Sequence, residues 1–219
     1  LPEHSALVTG FIEGEVIEPE LARSPEMLRR LGRALGRLHG CAPTSGSIDP
    51  VEAARRWIAE AARRGASGGE RLAWAESMTQ RIVALRGPWE PVLCHGDLRE
   101  GNLLYDGGIR LVDWEYSGMG DPVYDLGNLS INFNLERSHE QVFLAAYGGS
   151  SPDERLSRLV RLYRFVSAFQ EVCWAMLQTV ISTLEEDFEA YASDYLGRLE
   201  VMGGETDFSA ALAELEGES

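Results

Sequence analysis

Not one lysine occurs in the 219 residues: all 20 basic side chains are arginine, and against 35 acidic ones they leave a formal charge of −15. So acidic a chain lacks the basic surface that a nucleic acid or an anionic membrane demands of a partner. It suits a cationic small molecule, although the same acidity also serves solubility alone. Cysteine is scarce too. Cys41, Cys94 and Cys173 are odd in number, far apart and without metal-ligand spacing, which argues against a disulfide framework and for reduced thiols in the cytoplasm. No apolar run is long enough to span a bilayer, and no secretory signal pattern opens the chain. Internal repeats and low-complexity tracts are absent. Gly and Pro, at 23 and 9 residues, fall short of a disordered composition. The length allows one large domain or two small ones, and only the acidic tail after Glu214 is expected to fray.

What the chain does have is concentrated between Val92 and Tyr116. The apolar pair Val92-Leu93 leads into a polar loop, Cys94-His95-Gly96-Asp97-Leu98-Arg99-Glu100-Gly101-Asn102, and then a short strand, Leu103-Leu104-Tyr105. Asp106-Gly107-Gly108 separates it from a second strand, Ile109 to Val112, that ends on Asp113. Such a glycine-bearing pair between apolar runs is a strong hairpin signal. In an antiparallel hairpin Asn102 and Asp113 lie side by side, so one amide oxygen and one carboxylate face the same spot. Asp97 sits on the loop leading in. A few converging oxygens, with room for water and phosphate, suit Mg2+. An Asp, an Asn five residues on and a second Asp beyond a hairpin match what phosphoryl transfer needs. One carboxylate orients a hydroxyl and takes its proton, and two oxygen ligands hold the metal against nucleotide phosphates.

The rest of the chain reads mostly as helix. Ser24-Pro25-Glu26 is a helix start, followed by Leu28, Leu31, Leu35 and Leu38 at helical spacing and closed by Gly40. His39, at that helix's end, reads as a capping or packed histidine. Asp49-Pro50 opens another helix, with Trp57 and Ile58 on its apolar side and Arg55, Arg56, Arg63 and Arg64 on a solvated stripe. A third runs from about Gly69 to Leu85, and Gly87-Pro88-Trp89-Glu90-Pro91 breaks it. Ser117 to Pro122 reads as a tight loop with Asp121 as a helix cap. From Ser138 to about Leu215 the 3.6-residue period predicts helices. Leu7 to Gly14 reads as an apolar strand running into a turn.

His95-Gly96-Asp97-x-x-x-x-Asn102 followed by Asp113-Trp114-Glu115 resembles the catalytic and metal-binding segments of the aminoglycoside phosphotransferase and choline/ethanolamine kinase superfamily, small-molecule relatives of the protein kinases. The resemblance runs from Leu7 to about Arg198. It implies an ATP- and Mg2+-dependent kinase with Asp97 as catalytic base and Asn102 and Asp113 as metal ligands. Asp125, in Asp125-Leu126-Gly127-Asn128, would be buried and hold the catalytic loop, with His95 also in structural support. The implied fold class is α+β, mainly α-helical: the C-terminal lobe of a protein-kinase-like fold. Residues 1–14 would be the interlobe linker, with Gly10 C=O and Ile12 N–H pairing with the adenine edge. Residues 15–219 would be the lobe, with its catalytic loop at 94–105 and its metal-binding segment at 109–116. The superfamily sets a lysine from an N-terminal sheet on the phosphates, beneath a glycine-rich or equivalent loop; neither is present. The expectation is a chain without its N-terminal lobe, beginning near the lobe junction and inactive by itself.

Trp174-x-x-x-Gln178-x-x-x-Ser182 and Asp187-Phe188-x-x-Tyr191-Ala192 resemble the C-terminal segment of choline and ethanolamine kinases. The resemblance implies Trp174 and Tyr191 as walls of a cation box, since an aromatic face attracts a cation best where water is excluded. Glu171, one turn before Trp174, would add a negative charge where some members carry a second aromatic. Asn132 and Asn134 fall where some relatives have acidic pocket residues. The implied reaction is phosphorylation of a small cationic amino alcohol such as choline or ethanolamine. The alternatives are phosphorylation of an aminoglycoside or another small molecule, and a degenerate lobe that binds without catalysis.

Overall fold

The computed structural model describes residues 10–151 and 153–218. After β1 (Glu15–Val16) come a short helix α1 (Pro19–Ala22), then α2 (Pro25–His39), α3 (Pro50–Arg63) and α4 (Gly69–Ala84). The middle of the chain holds β2 (Val92–Cys94), a 3-10 turn (Glu100–Asn102), β3 (Leu103–Tyr105), β4 (Ile109–Leu111) and β5 (Gly118–Gly120). Helices α5 (Pro122–Asn132), α6 (Arg137–Gly148), α7 (Glu154–Ile181), α8 (Phe188–Gly204) and α9 (Thr206–Gly217) follow.

Local chemistry starts the helices where the sequence does. The Ser24 hydroxyl accepts from Met27 N–H, and Asp49 Oδ1 accepts from Val51 and Glu52 N–H. Asp121 and Asp187 cap α5 and α8 in the same way. Each satisfies an N–H group that the helix itself leaves unpaired. Proline follows three of these caps, at Pro25, Pro50 and Pro122, where a missing N–H costs nothing.

Helix α7 is the axis of the molecule. The two apolar faces read from the sequence, Leu159 to Val166 and Val172 to Val180, belong to one helix of 28 residues. It packs against α3, α5, α8 and α9, while α2 packs against α6. Phe165, Phe169 and Val172 are fully enclosed along it; truncating such a phenylalanine to alanine costs about 3–5 kcal/mol. No helix among the described residues is long and apolar enough to cross a membrane. Arg55, Arg56, Arg63 and Arg64 are all exposed, and Arg63 and Arg64 pair with Glu60 on their own helix.

Two small antiparallel sheets accompany the helices, one ordered β1-β3-β4 and the other β2-β5. Three expectations are corrected here. The strand expected over Leu7–Gly14 lies partly outside the described residues, and residues 10–14 carry no regular structure. The first strand is instead Glu15–Val16, paired with Tyr105 and Leu104. The loop expected at Ser117–Pro122 contains a strand, β5, that pairs Gly118 with Cys94 and Gly120 with Val92. Glycine is depleted in strands, but here it is required. A Cβ on Gly118 would lie 2.9 Å from the Ser47 main chain, and one on Gly120 would lie 2.7 Å from Ile48 Cγ1. The acidic tail does not fray after Glu214: α9 continues to Gly217, Leu215 is buried, and Arg158 ties to both Glu214 and Glu218.

Candidate active site

The hairpin read from Asn102 to Asp113 is present, with a register that shifts its two ends. Leu103 faces Leu111, and Val112 N–H donates to the Asn102 carbonyl at 3.0 Å. Asn102 therefore lies opposite Val112, and Asp113 comes one residue later rather than directly beside it. The backbone makes up the offset. Asp113 adopts φ 62°, a left-handed conformation that costs a non-glycine residue about 1–2 kcal/mol, and both side chains line one cleft.

A buried carboxylate anchors the loop. Asp125, with no exposed surface, accepts from His95 N–H at 2.8 Å and Gly96 N–H at 2.9 Å, and its Oδ2 lies 3.1 Å from His39 Nε2. His39 Nδ1 is 2.9 Å from the Tyr147 hydroxyl, so this histidine is packed into the anchor. His95 spans the site: Nε2–H donates to the Val112 carbonyl at 2.9 Å, while Nδ1 accepts from Asp97 N–H at 3.3 Å. Those two bonds define its tautomer, because a carbonyl only accepts and an amide N–H only donates. Gly96 has φ 84°, and a Cβ there would lie 2.5 Å from the Tyr116 carbonyl. Asn128 Oδ1 accepts from Leu98 N–H, and Asn132 Nδ2 donates to the Leu98 carbonyl at 3.2 Å. Asn132 thus supports the loop from below, and exposed Asn134 terminates the turn after α5 with φ 49°. Neither lines the cleft.

That cleft, of about 210 Å³, is lined by Asp97, Arg99, Asn102 and Asp113 on one side and by Glu171 and Trp174 of α7 on the other. Burial pushes the Asp97 carboxyl above its ordinary range; Arg99 and the Asn102 hydrogen bond pull it back, and Asp113 pushes it up. Glu171 is raised by burial as well, against the pull of the Tyr191 hydroxyl, which donates to its Oε2 at 3.0 Å. Tyr191 itself stands behind this wall, with its ring 6.2 Å from Trp174 and stacked 4.8 Å from Tyr195. Trp57 of α3 and Tyr116 also line the cleft, their rings 6.3 Å apart at 83°. Gly10 is exposed and Ile12 half-buried, and neither lines the cleft.

The donor set fits a hard cation. Asn102 Nδ2 donates to the Asp97 carbonyl and carboxylate, which leaves its amide oxygen for the cleft. The Asp113 carboxylate makes no hydrogen bond or ion pair with a described residue. Oxygen ligands without nitrogen or sulfur suit Mg2+. A second group of donors, His39, Cys94 and Asp125, lies within 4.8 Å but does not suit a metal. The Asp125 oxygens already serve the loop and His39, and burial drives the Cys94 thiol far above its ordinary range, away from the thiolate that binds metal.

Comparison with known proteins shows the family and the fold. The model of the family described as phosphotransferase enzymes matches residues 3–160. The chain belongs to that phosphotransferase family. Ethanolamine kinase 1 of Mus musculus is 26% identical over 235 residues, covering 86% of this chain and 63% of the mouse protein. The chain therefore spans less than two thirds of that relative's length. A solved choline/ethanolamine kinase family protein from Mesorhizobium loti superposes with a TM-score of 0.83 at 25% identity, covering 94% of this chain and 73% of its own. The choline kinase LicA from Streptococcus pneumoniae shares the fold, with a TM-score of 0.71 at 21% identity, covering 88% and 68%. The mainly helical, protein-kinase-like fold expected from the sequence is the one this chain has.

Sequence reasoning missed Trp57 and Tyr116 as cleft residues. Trp57 had a helical signal, its place on the apolar side of α3, but nothing local said that this side meets the loop after β4. Tyr116 had only its position three residues after Asp113.

Proposed function

We propose that this chain is the catalytic lobe, residues 15–219 behind a linker at 1–14, of an ATP-dependent kinase that phosphorylates the hydroxyl of a small cationic amino alcohol such as choline or ethanolamine. One observation carries the reading. Asp97, Asn102 and Asp113 share a single cleft with Glu171 and Trp174, so the hydroxyl and the ammonium of one short molecule can be held together.

Asp97 orients the hydroxyl and accepts its proton as the oxygen bonds to the terminal phosphorus of ATP and the bond from that phosphorus to departing ADP breaks; a carboxyl raised by burial is the better base. Arg99 places positive charge beside the transferred group. Asn102 and Asp113 would hold Mg2+, which when bound neutralises charge on the nucleotide phosphates. The Gly10 carbonyl and Ile12 N–H would pair with the adenine edge. Trp174 faces the ammonium, with Tyr191 fixing Glu171 beside it. His95 and Asp125 keep the loop in place. The free thiols of Cys41, Cys94 and Cys173 suit the reducing cytoplasm.

ATP consumption by the full-length protein, assayed with ethanolamine, choline, thiamine and kanamycin, tests the proposal. Turnover with the amino alcohols is expected. Turnover with kanamycin alone, or with none of the four, would overturn it.

A further inference from the structure

The carboxylate of Glu171 is placed in a way that a cation box has no need of. Its Oε2 accepts from Tyr191, and Oε1 has no hydrogen-bond partner among the described residues although Glu171 lines the cleft. Tyr191 cannot easily swing away, because its ring is stacked on Tyr195 and set edge-on to Trp174. One carboxylate oxygen is therefore fixed and the other is offered to whatever occupies the cleft.

The surrounding rings do not discriminate among ammonium groups. Trp57, Tyr116 and Trp174 attract any cation through the negative face of the ring, methylated or not. On the α7 wall, across the cleft from Asp97 and Asp113, the Glu171 carboxylate is the charged group that distinguishes N–H from N–CH3. A primary ammonium donates a charge-assisted hydrogen bond to Oε1 while its other N–H groups stay free for water. A quaternary ammonium has no donor. Its methyl groups would cover Oε1, strip it of water and leave a charged acceptor unsatisfied, a loss far larger than that of an ordinary contact. Sites built around a hydrogen bond to the substrate reject analogues without the donor much more sharply than apolar pockets reject a change of size.

We infer that Glu171 selects the acceptor by its N–H bonds, so that the site takes a primary ammonium alcohol, of which ethanolamine is the simplest, in preference to a quaternary one such as choline. The inference rests on the kinase reading above and deepens it.

The test is an N-methylation series, ethanolamine, N-methylethanolamine, N,N-dimethylethanolamine and choline, with the full-length protein and its Glu171→Gln and Glu171→Trp variants. Calorimetric affinity and kcat/KM are measured for each compound. In the wild type both are expected to fall along the series, by at least about tenfold from end to end. Gln keeps an acceptor for the Tyr191 hydroxyl but lacks the charge, and is expected to cut that ratio to about threefold or less. Trp is expected to invert it in favour of choline. Equal or tighter wild-type binding of choline, or an unchanged ratio in both variants, overturns the assignment. Phosphorylation of none of the four would instead defeat the kinase reading, while the affinities still decide the role of Glu171. Thermal melts of the variants confirm that both are folded.

Discussion

The side-chain amide of Asn102 donates to Asp97 Oδ2 at 2.8 Å and to the Asp97 main-chain carbonyl at 2.9 Å. In the proposed site, one residue thus orients the base with its nitrogen and would hold a metal with its oxygen. Asn102→Ala removes both functions. Transfer is expected to fall about a hundredfold or more, since a small misplacement of a reacting group has that effect. Raising Mg2+ is not expected to restore it, because the orientation of Asp97 is lost too. Recovery at high Mg2+ would mean that Asn102 serves only as a ligand.

Asp125 accepts two backbone N–H bonds from the loop and meets His39 with no exposure to water. Asp125→Asn turns one acceptor oxygen into a donor that must face another donor. Breaking a buried charged network of this kind costs about 3 kcal/mol or more, which lowers the melting temperature of a domain this size by roughly 6–12 °C. A loss under about 2 °C would show that the loop is held by other contacts.

Glu171 gives a pH dependence whose sign is determined. Burial raises its pKa above the ordinary glutamate value. The stability it contributes is fully present below the unfolded pKa of about 4.3 and is lost as pH rises through the raised folded value. Glutamine is neutral throughout. The melting temperature of Glu171→Gln is therefore expected to match the wild type near pH 4 and exceed it at pH 8. A difference independent of pH, or a less stable variant at pH 8, contradicts this account. The charge that would recognise the ligand is then one the empty fold would be more stable without.

Much of the site was readable because its parts are close in sequence. Asp97, Asn102 and Asp113 fall within 17 residues, and a turn signal at Asp106-Gly107-Gly108 separates the last two. The register was not readable to the residue: a left-handed backbone at Asp113 is a tertiary outcome, not a propensity. Helix starts at Ser24, Asp49 and Asp121 were legible for the same local reason, whereas the cap at Asp187 was not read. The approach of Trp57 to Tyr116 depends on how α3 crosses α7, and pairing of Glu171 with Tyr191 depends on how α8 folds back; no pattern within one element encodes either. Strand β5 was hidden because its glycines are selected by Ser47 and Ile48, which lie some 70 residues earlier.

That strand provides its own test. Gly118→Ala drives a methyl group against the Ser47 main chain and Ile48 Cγ2, both 2.9 Å away, and is expected to cost about 1–3 kcal/mol. Gly148→Ala, at a helical position with open space around it, is expected to be neutral or to stabilise by up to about 1 kcal/mol. Denaturant melts of the pair separate steric closeness from a general effect of replacing glycine. Equal effects would argue against the packing described.

The kinase reading of this cleft turns on Asp97. The most direct measurement is the rate of phosphoester formation from Mg-ATP and ethanolamine, followed by 31P NMR, for the full-length protein and its Asp97→Asn variant. The account predicts a product peak with the wild type and a rate lower by about 10²–10⁴ with the variant, with nucleotide affinity unchanged. A variant within threefold of the wild-type rate would contradict it.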